Sequence, residues 1–243
     1  MPDIRPVIIV ARRQDKLPET LAALKDANLP VVGLPVSRTT PLKTDIPPAT
    51  HGLVLTSSAA VPAVRESDLP CYCVGPKTAR AAEKAGLQVL YTGSRGGRTL
   101  AREMAEKFPP QSLCHVTTEE AGTAWYTILT EAGFSLKTRY GYETTYLDTL
   151  PHEVVCCFRE NRVSSLMVFS SRGAEKTCEL IKKACFAAKD VPHLYAISDA
   201  VARALADRGI PGANIEVADT PTSEEIIHVL EQSLNPENRH TGN

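Results

Sequence analysis

Short runs of aliphatic residues, most of them without alternating polar positions, recur along this chain. Such runs suit β-strands that are covered on both faces, as in a parallel sheet. Helical patterns lie between most of them, and alternation of strand and helix predicts parallel sheets with crossover connections. Three predicted helices, 77–85, 123–132 and 199–208, stop at Gly86, Gly133 and Gly209, each suited to a left-handed C-terminal cap. The predicted strands are 7–10, 31–34, 53–56, 71–74, 88–91, 113–116, 166–169, 194–197 and 215–217, with 134–138 as a weaker tenth.

The same strand–turn–helix unit occurs twice. LVLTSSAAV, from Leu53, resembles LMVFSSRGA, from Leu166, and both are strands that end in hydroxyl residues before a helix start. CYCVGPKTARAAEKAG, from Cys71, resembles LYAISDAVARALADRG, from Leu194. The chain therefore repeats one supersecondary unit, which indicates two related halves.

The distribution of strands predicts how these halves share the chain. Ten strands in one sheet would be unusual, whereas two sheets of five are ordinary. We therefore predict two similar α/β domains, each a five-stranded parallel sheet flanked by helices, joined by a two-stranded hinge. The predicted limits are 1–34 with 147–234 for the first domain, 45–138 for the inserted second domain, 35–44 and 139–146 for the hinge strands, and 235–243 for a disordered tail.

Charge and composition narrow the classes of function. The formal net charge is −1, so no global basic field favours nucleic acid or an anionic membrane. No run approaches the roughly 20 apolar residues of a membrane span, and the start of the sequence suits a strand rather than a signal peptide. We therefore expect a cytoplasmic protein whose seven cysteines are reduced.

Hydroxyl residues, glycines and basic residues follow the predicted strands. Ligands of open parallel sheets bind beyond the carboxyl ends of the strands, where helix N-termini favour anions. Any single Ser or Thr there is more simply a helix cap, but their recurrence in both halves favours a two-walled cleft for an anion. The candidate binding residues are Arg12, Thr56, Ser57, Ser58, Gly75, Lys77, Thr78, Arg98, Ser170, Ser171, Ser198 and Thr222.

Familiar catalytic and metal motifs are absent from the sequence. There is no GxxxxGK[ST], no GxGxxG after a strand, no GxSxG and no HExxH. The six histidines are scattered, and the Cys114–His115 pair lacks a second ligand pair at finger-like spacing. The remaining candidate acid is Tyr142 in the hinge, which the period of two puts on one strand face with Tyr140 and Tyr146.

The order and spacing of these motifs resemble the uroporphyrinogen-III synthase family over essentially the whole chain. The matching features are Arg12 after the first strand, the Thr56-Ser57 turn, VGPKTARAAEKAG from Val74, YET from Tyr142, FSS from Phe169, and Pro221-Thr222 before the last helix.

The resemblance implies an enzyme that acts on hydroxymethylbilane, a polycarboxylated linear tetrapyrrole. The family removes the terminal hydroxyl of this substrate as water and closes the ring with inversion of the last pyrrole, without metal or organic cofactor. Family precedent makes Tyr142 the proton donor or orienter at the leaving hydroxyl. It further implies a monomer, whose one candidate protein partner is hydroxymethylbilane synthase in a transient contact.

Three departures from the family pattern keep an alternative open. Ala59 stands where the family often has Asn or Arg, Thr117-Thr118-Glu119-Glu120 replaces an Arg-Gly pair, and 198–202 replaces a glycine-and-threonine segment. The alternative is a non-catalytic member of the same fold family that binds a tetrapyrrole or another polyanion. A two-domain solute-binding protein shares the double crossover, but the expected absence of a signal peptide counts against it.

Overall fold

The computed structural model describes residues 5–26, 29–94 and 96–234. The chain divides into two compact units, one formed by Met1–Arg38 with Thr145–Asn243 and the other by Thr39–Thr144. The tail at 235–243, for which we predict disorder, lies outside the described residues.

Strands and helices alternate through the described chain. The strands are β1 (Val7–Arg13), β2 (Val31–Pro41), β3 (Gly52–Leu55), β4 (Cys71–Cys73), β5 (Val89–Thr92), β6 (Ser112–Thr117), β7 (Ser135–Tyr140), β8 (Tyr142–Tyr146), β9 (Val163–Val168), β10 (His193–Ala196) and β11 (Ile215–Val217). The helices are α1 (Leu17–Asp26), α2 (Val61–Val64), α3 (Pro76–Lys84), α4 (Gly96–Lys107), α5 (Tyr126–Glu131), α6 (His152–Arg159), α7 (Ser171–Lys183), α8 (Asp199–Ala206) and α9 (Ser223–Leu234).

The first unit is built on a sheet of order β11-β10-β9-β1-β2-β8. The pairings from β11 through β2 are parallel. β1 lies between β9 and β2, so both its edges are hydrogen-bonded, and Val7–Ala11 are buried. The predicted five strands are all present, and β8 is added as a sixth strand beside β2.

The second unit has a sheet of order β5-β4-β3-β6-β7, in which every pairing is parallel. This order matches β11-β10-β9-β1-β2 when the repeated segments are equated, because β3 corresponds to β9 and β4 to β10. The fold is therefore the predicted one, two similar parallel α/β bodies.

Each sheet has helices on both faces, which explains the continuous aliphatic strands. In the first unit, α6, α7 and α8 cover the face of Ile9, and α1 and α9 cover the face of Ile8 and Val10. In the second unit, α2 and α3 cover the face of Leu53 and Leu55, and α4 and α5 cover that of Val54. A strand that is buried on both faces has apolar residues at successive positions and not an alternation of apolar and polar ones.

Glycines end three helices in the way that the sequence indicates. The backbone φ angles are +85° at Gly86, +84° at Gly133 and +83° at Gly209. This left-handed region is strained for residues with a Cβ. The helix predicted over 123–132 begins only at Tyr126. The residues before it form a turn that leads directly into the helix, with a bond from the amide of Tyr126 to the carbonyl of Thr123.

The three hinge tyrosines do not share one environment, contrary to the prediction from the period of two. Gly141 separates β7 from β8, so the alternation is interrupted between Tyr140 and Tyr142. A Cβ at Gly141 would lie 3.0 Å from that of Ala63 and closer still to Val116. Tyr140 is 50% exposed, whereas Tyr142 is 9% exposed and packs in the core of the second unit.

Candidate functional site

The carboxyl end of β1 carries a buried arginine. Arg12 is 9% exposed, and its Nη2 donates to the Ser223 hydroxyl at 2.8 Å. Nη1 donates to the hydroxyl of Thr20, which in turn donates to the carbonyl of Lys16. The guanidinium also lies over the ring of Phe169, just after β9. Side chains from α1, α9 and the end of β9 thus hold one cation at the end of the central strand.

This arginine has no carboxylate partner within 4 Å among the residues that the structure describes. Burial lowers the pKa of Arg12 below its ordinary value, and the nearby charge of Glu19 partly opposes that shift. The guanidinium stays protonated near neutral pH because its ordinary pKa is so high. A buried cation held by neutral groups is suited to a carboxylate supplied by a ligand.

The other first-unit candidates lie at helix starts, and most of their hydroxyls are engaged. Ser170 accepts from the amide of Gly173 at 3.1 Å and caps α7, and Thr222 accepts from the amide of Glu225 at 3.2 Å before α9. Ser171 donates to the carbonyl of Ala200 at 3.1 Å. Ser198 precedes α8 and makes no side-chain capping bond. The predicted caps at Ser170 and Thr222 therefore exist, whatever else these residues do.

A chain of hydrogen bonds runs through the second unit from the end of β3. Thr56 Oγ1 lies 2.8 Å from His115 Nε2, and His115 Nδ1 lies 2.5 Å from the hydroxyl of Tyr126. The Tyr126 hydroxyl lies 3.0 Å from Thr138 Oγ1. Thr56 is half-buried, so the chain leads from the interior towards the carboxyl edge of the sheet.

His115 is a neutral residue of the core. It is 1% exposed and meets Trp125 edge-on, with 5.0 Å between ring centroids. Burial lowers its pKa to about 4, because the protonated form would lose its hydration. No local sequence pattern indicates this role, since the two partners of His115 come from the end of β3 and from α5.

The remaining second-unit candidates surround the starts of α2, α3 and α4. Ser57 accepts from the amide of Ala59 at 3.2 Å and caps a short 3-10 turn that begins at Ser58. Gly75 precedes α3, where Lys77 is exposed and Thr78 is buried. Arg98 is exposed in the first turn of α4.

One buried hydroxyl beside Thr56 lacks a partner. β3 and β6 pair Leu55 with Val116, so Thr56 and Thr117 follow this pair on neighbouring strands. Thr117 is 1% exposed, and its hydroxyl makes no hydrogen bond to any described residue. A buried hydroxyl without a partner is costly, so this edge of the sheet has polar capacity that the described residues do not use.

One cavity of the second unit lies apart from the candidate residues. A cavity of about 610 Å³ in the second unit is lined by residues 41–46 and 62–67, and none of the candidate residues is among them. Within 5–26, 29–94 and 96–234, no three His, Cys, Asp or Glu side chains are grouped as metal ligands. No helix in the described part of the chain is both long and apolar enough to span a bilayer.

The fold and these sites define a protein with two parallel α/β units, both with hydroxyl residues at the carboxyl ends of their strands. The first unit also carries the buried Arg12. The family model described as uroporphyrinogen-III synthase HemD matches residues 18–228. The chain therefore belongs to the uroporphyrinogen-III synthase family.

Solved structures agree on the fold. A uroporphyrinogen-III synthetase from Helicobacter pylori 26695 aligns with a TM-score of 0.69 and 18% identity, over 95% of this chain and 100% of that one. A mutant uroporphyrinogen III synthase from Thermus thermophilus aligns with a TM-score of 0.57 and 13% identity, over 95% of this chain and 99% of that one. A search of curated proteins found no match.

Proposed function

We propose that this protein is a uroporphyrinogen-III synthase, a lyase of tetrapyrrole and heme biosynthesis. It would dehydrate and cyclise hydroxymethylbilane to uroporphyrinogen III, with inversion of the last pyrrole ring. The observation that carries this proposal is the family match over residues 18–228, most of both units.

Substrate binding would depend on the carboxylates of the tetrapyrrole. Arg12 supports this role best, because its buried guanidinium has only neutral partners among the described residues. Thr56, with its half-buried hydroxyl at the end of β3, is the corresponding candidate in the second unit. Exposed backbone amides at helix starts would add weaker anion contacts. The other proposed binding residues are Ser57, Ser58, Gly75, Lys77, Thr78, Arg98, Ser170, Ser171, Ser198 and Thr222.

The chemistry requires that the terminal hydroxyl leave as water. We assign proton donation to this hydroxyl, or its orientation, to Tyr142, the first residue of the YET motif. Ring closure then joins the two ends of the chain, so holding them in contact and excluding water would supply much of the acceleration. Only 9% of the Tyr142 surface is exposed, so little of this residue is open to bulk water.

The two units would be the two domains of the enzyme, with 35–44 and 139–146 as hinge strands. This proposal is supported by β2 and β8, which are neighbours in the first sheet and contain both points at which the chain passes between the units. We further propose a cytoplasmic monomer that contacts hydroxymethylbilane synthase transiently.

The isomer of the product tests the activity. Purified protein supplied with fresh hydroxymethylbilane should yield the type III isomer, measured by chromatography after oxidation to the porphyrin. The type I isomer forms spontaneously and serves as the background in a control without protein. Type I product alone would refute the proposal.

A non-catalytic binding protein of the same family is the second candidate. It is favoured by Asp199, which is exposed in the first turn of α8 where carboxylates would approach, and by Glu119 and Glu120 after β6. Tight binding of uroporphyrinogen III without turnover would support this candidate, and normal turnover would exclude it.

A further inference from the structure

The hydrogen bonds around His115 have a direction that follows from its neutral state. A neutral imidazole has one N–H donor and one nitrogen acceptor, so its two partners must play opposite roles. The 2.5 Å separation of Nδ1 from the Tyr126 hydroxyl is short for an N–H donor, for which 2.7–3.2 Å is usual, and suits an O–H donor. A phenol is also a more acidic donor than an alcohol. This geometry favours Tyr126 as the donor to Nδ1, an arrangement that leaves the ring proton on Nε2.

This assignment determines the role of Thr56. The Nε2–H group donates to Thr56 Oγ1 at 2.8 Å, within the usual range for N–H donors. The hydroxyl hydrogen of Thr56 is then left to bond elsewhere, and no described residue accepts it. If Tyr126 donates its hydrogen to His115, Thr138 must be the donor to Tyr126 at 3.0 Å. All the donors then point the same way, and each bond strengthens the next.

We propose that His115 is a positioning residue, which holds the hydroxyl of Thr56 as a hydrogen-bond donor to a carboxylate of the substrate. The proposal rests on the proposed function for the identity of that ligand. His115 itself is buried behind Thr56 and does not touch the substrate. With the opposite tautomer, Thr56 would donate inward to His115 and present only lone pairs, which repel a carboxylate.

The tautomer can be measured without substrate. Long-range ¹H–¹⁵N correlation spectra of the labelled protein should show a protonated Nε2 and an unprotonated Nδ1 for one neutral histidine. That signal is assigned by its disappearance in His115→Gln. A protonated Nδ1 in the wild-type protein would overturn the proposal.

Two substitutions test the two hydrogen bonds of His115 separately. The amide of His115→Gln reaches the place of Nε2 and keeps a donor to Thr56, whereas that of His115→Asn reaches the place of Nδ1 and keeps only the contact with Tyr126. We expect His115→Asn to have a KM for hydroxymethylbilane about tenfold above that of His115→Gln, because it loses the preset donor to a charged group. The kcat values should differ less, since the bond serves binding.

The Thr56→Val background is the control. Without the hydroxyl, the difference in KM between His115→Gln and His115→Asn should disappear. Equal KM values in the wild-type background, or a difference that persists in Thr56→Val, would mean that His115 acts only through stability. Melting temperatures of all four variants monitor that effect.

Failure of the proposed function would be recognised separately. A wild-type protein that makes only the type I isomer would refute the synthase activity. The spectrum of the ligand-free protein would still decide the direction of the Thr56 hydrogen bond, in either sense.

Discussion

The guanidinium carbon of Arg12 lies 4.3 Å from the ring centroid of Phe169. Stacking and two hydroxyl acceptors fix the plane of this cation, and lysine cannot reproduce that geometry. We expect Arg12→Lys and Arg12→Gln to raise KM by about 10- to 100-fold, because each weakens a charge-assisted bond to a carboxylate. Steady-state kinetics with fresh hydroxymethylbilane measures the change.

The neighbouring Arg13 provides the matched control for Arg12. Its guanidinium pairs with Asp15, and 32% of its side chain is exposed. Arg13→Gln should leave KM within about twofold, since surface ion pairs contribute little. Equal increases for both arginines would contradict a specific role for Arg12.

Replacement of Tyr142 by Phe removes one hydroxyl from the site and keeps the ring in the core. A lost proton donor should reduce kcat by about 100-fold, while the free energy of unfolding changes by about 1 kcal/mol. Tyr72→Phe is the control, because the Tyr72 hydroxyl accepts a structural bond from Gln111 at 2.7 Å and belongs to none of the proposed sites. Unchanged kcat in Tyr142→Phe would remove this tyrosine from the mechanism.

The depressed pKa of His115 makes the second unit sensitive to acid. In the folded state His115 titrates at about 4, whereas its ordinary pKa is 6.5, so the unfolded chain binds more protons between these values. The free energy of unfolding should therefore fall by on the order of 3 kcal/mol as the pH drops from about 6.5 to about 4, and the titration of His115 should add no pH dependence above pH 6.5. Urea denaturation at several pH values measures this slope. In His115→Gln the free energy of unfolding should fall less over this pH range, by the amount due to His115. An identical fall in both proteins would argue against a buried neutral histidine.

Gly86 tests the backbone at a helix end. Its φ is +85°, and a Cβ there would meet nothing within 4 Å, so only the backbone conformation opposes a side chain. Gly86→Ala should lower the free energy of unfolding by about 1 kcal/mol. Gly122→Ala, at a site equally open and without positive φ, should be neutral or slightly stabilising. Equal changes in the free energy of unfolding would show that the left-handed backbone at Gly86 is not the cause.

The cysteines should differ sharply in reactivity. Burial raises the pKa of Cys71 to about 11 and that of Cys73 to about 12, so neither forms a thiolate at neutral pH. Cys185 is exposed and should react first with a thiol reagent. Cys185→Ser should remove the fast phase of the reaction, and fast labelling of Cys71 in the folded protein would contradict its burial.

The sequence predicts the strands well because covered parallel strands consist of unbroken aliphatic runs, as in Val7–Val10. The internal repeat also indicates two related units, since Leu53 and Leu166 begin equivalent segments. The different environments of Tyr140 and Tyr142 could not be predicted, because the interruption of the strand at Gly141 depends on the close approach of Gly141 to Ala63 and Val116.

Contacts between distant segments account for the rest of the site. His115 gives no local signal. Its partner Thr56 is brought near only because β3 lies beside β6, and its other partner, Tyr126, comes from α5. Arg12 follows from the end of β1, but Ser223 lies 211 residues away and is recognisable only in the folded unit.

The order of strands has a consequence for synthesis on the ribosome. Every strand of the second sheet lies between Gly52 and Tyr140, so all its partners have been made before the chain reaches residue 145. β1 is made earlier, yet its neighbour β9 begins only at Val163. One edge of β1, a strand with six of its seven residues buried, therefore stays without its β9 partner throughout synthesis of the second unit.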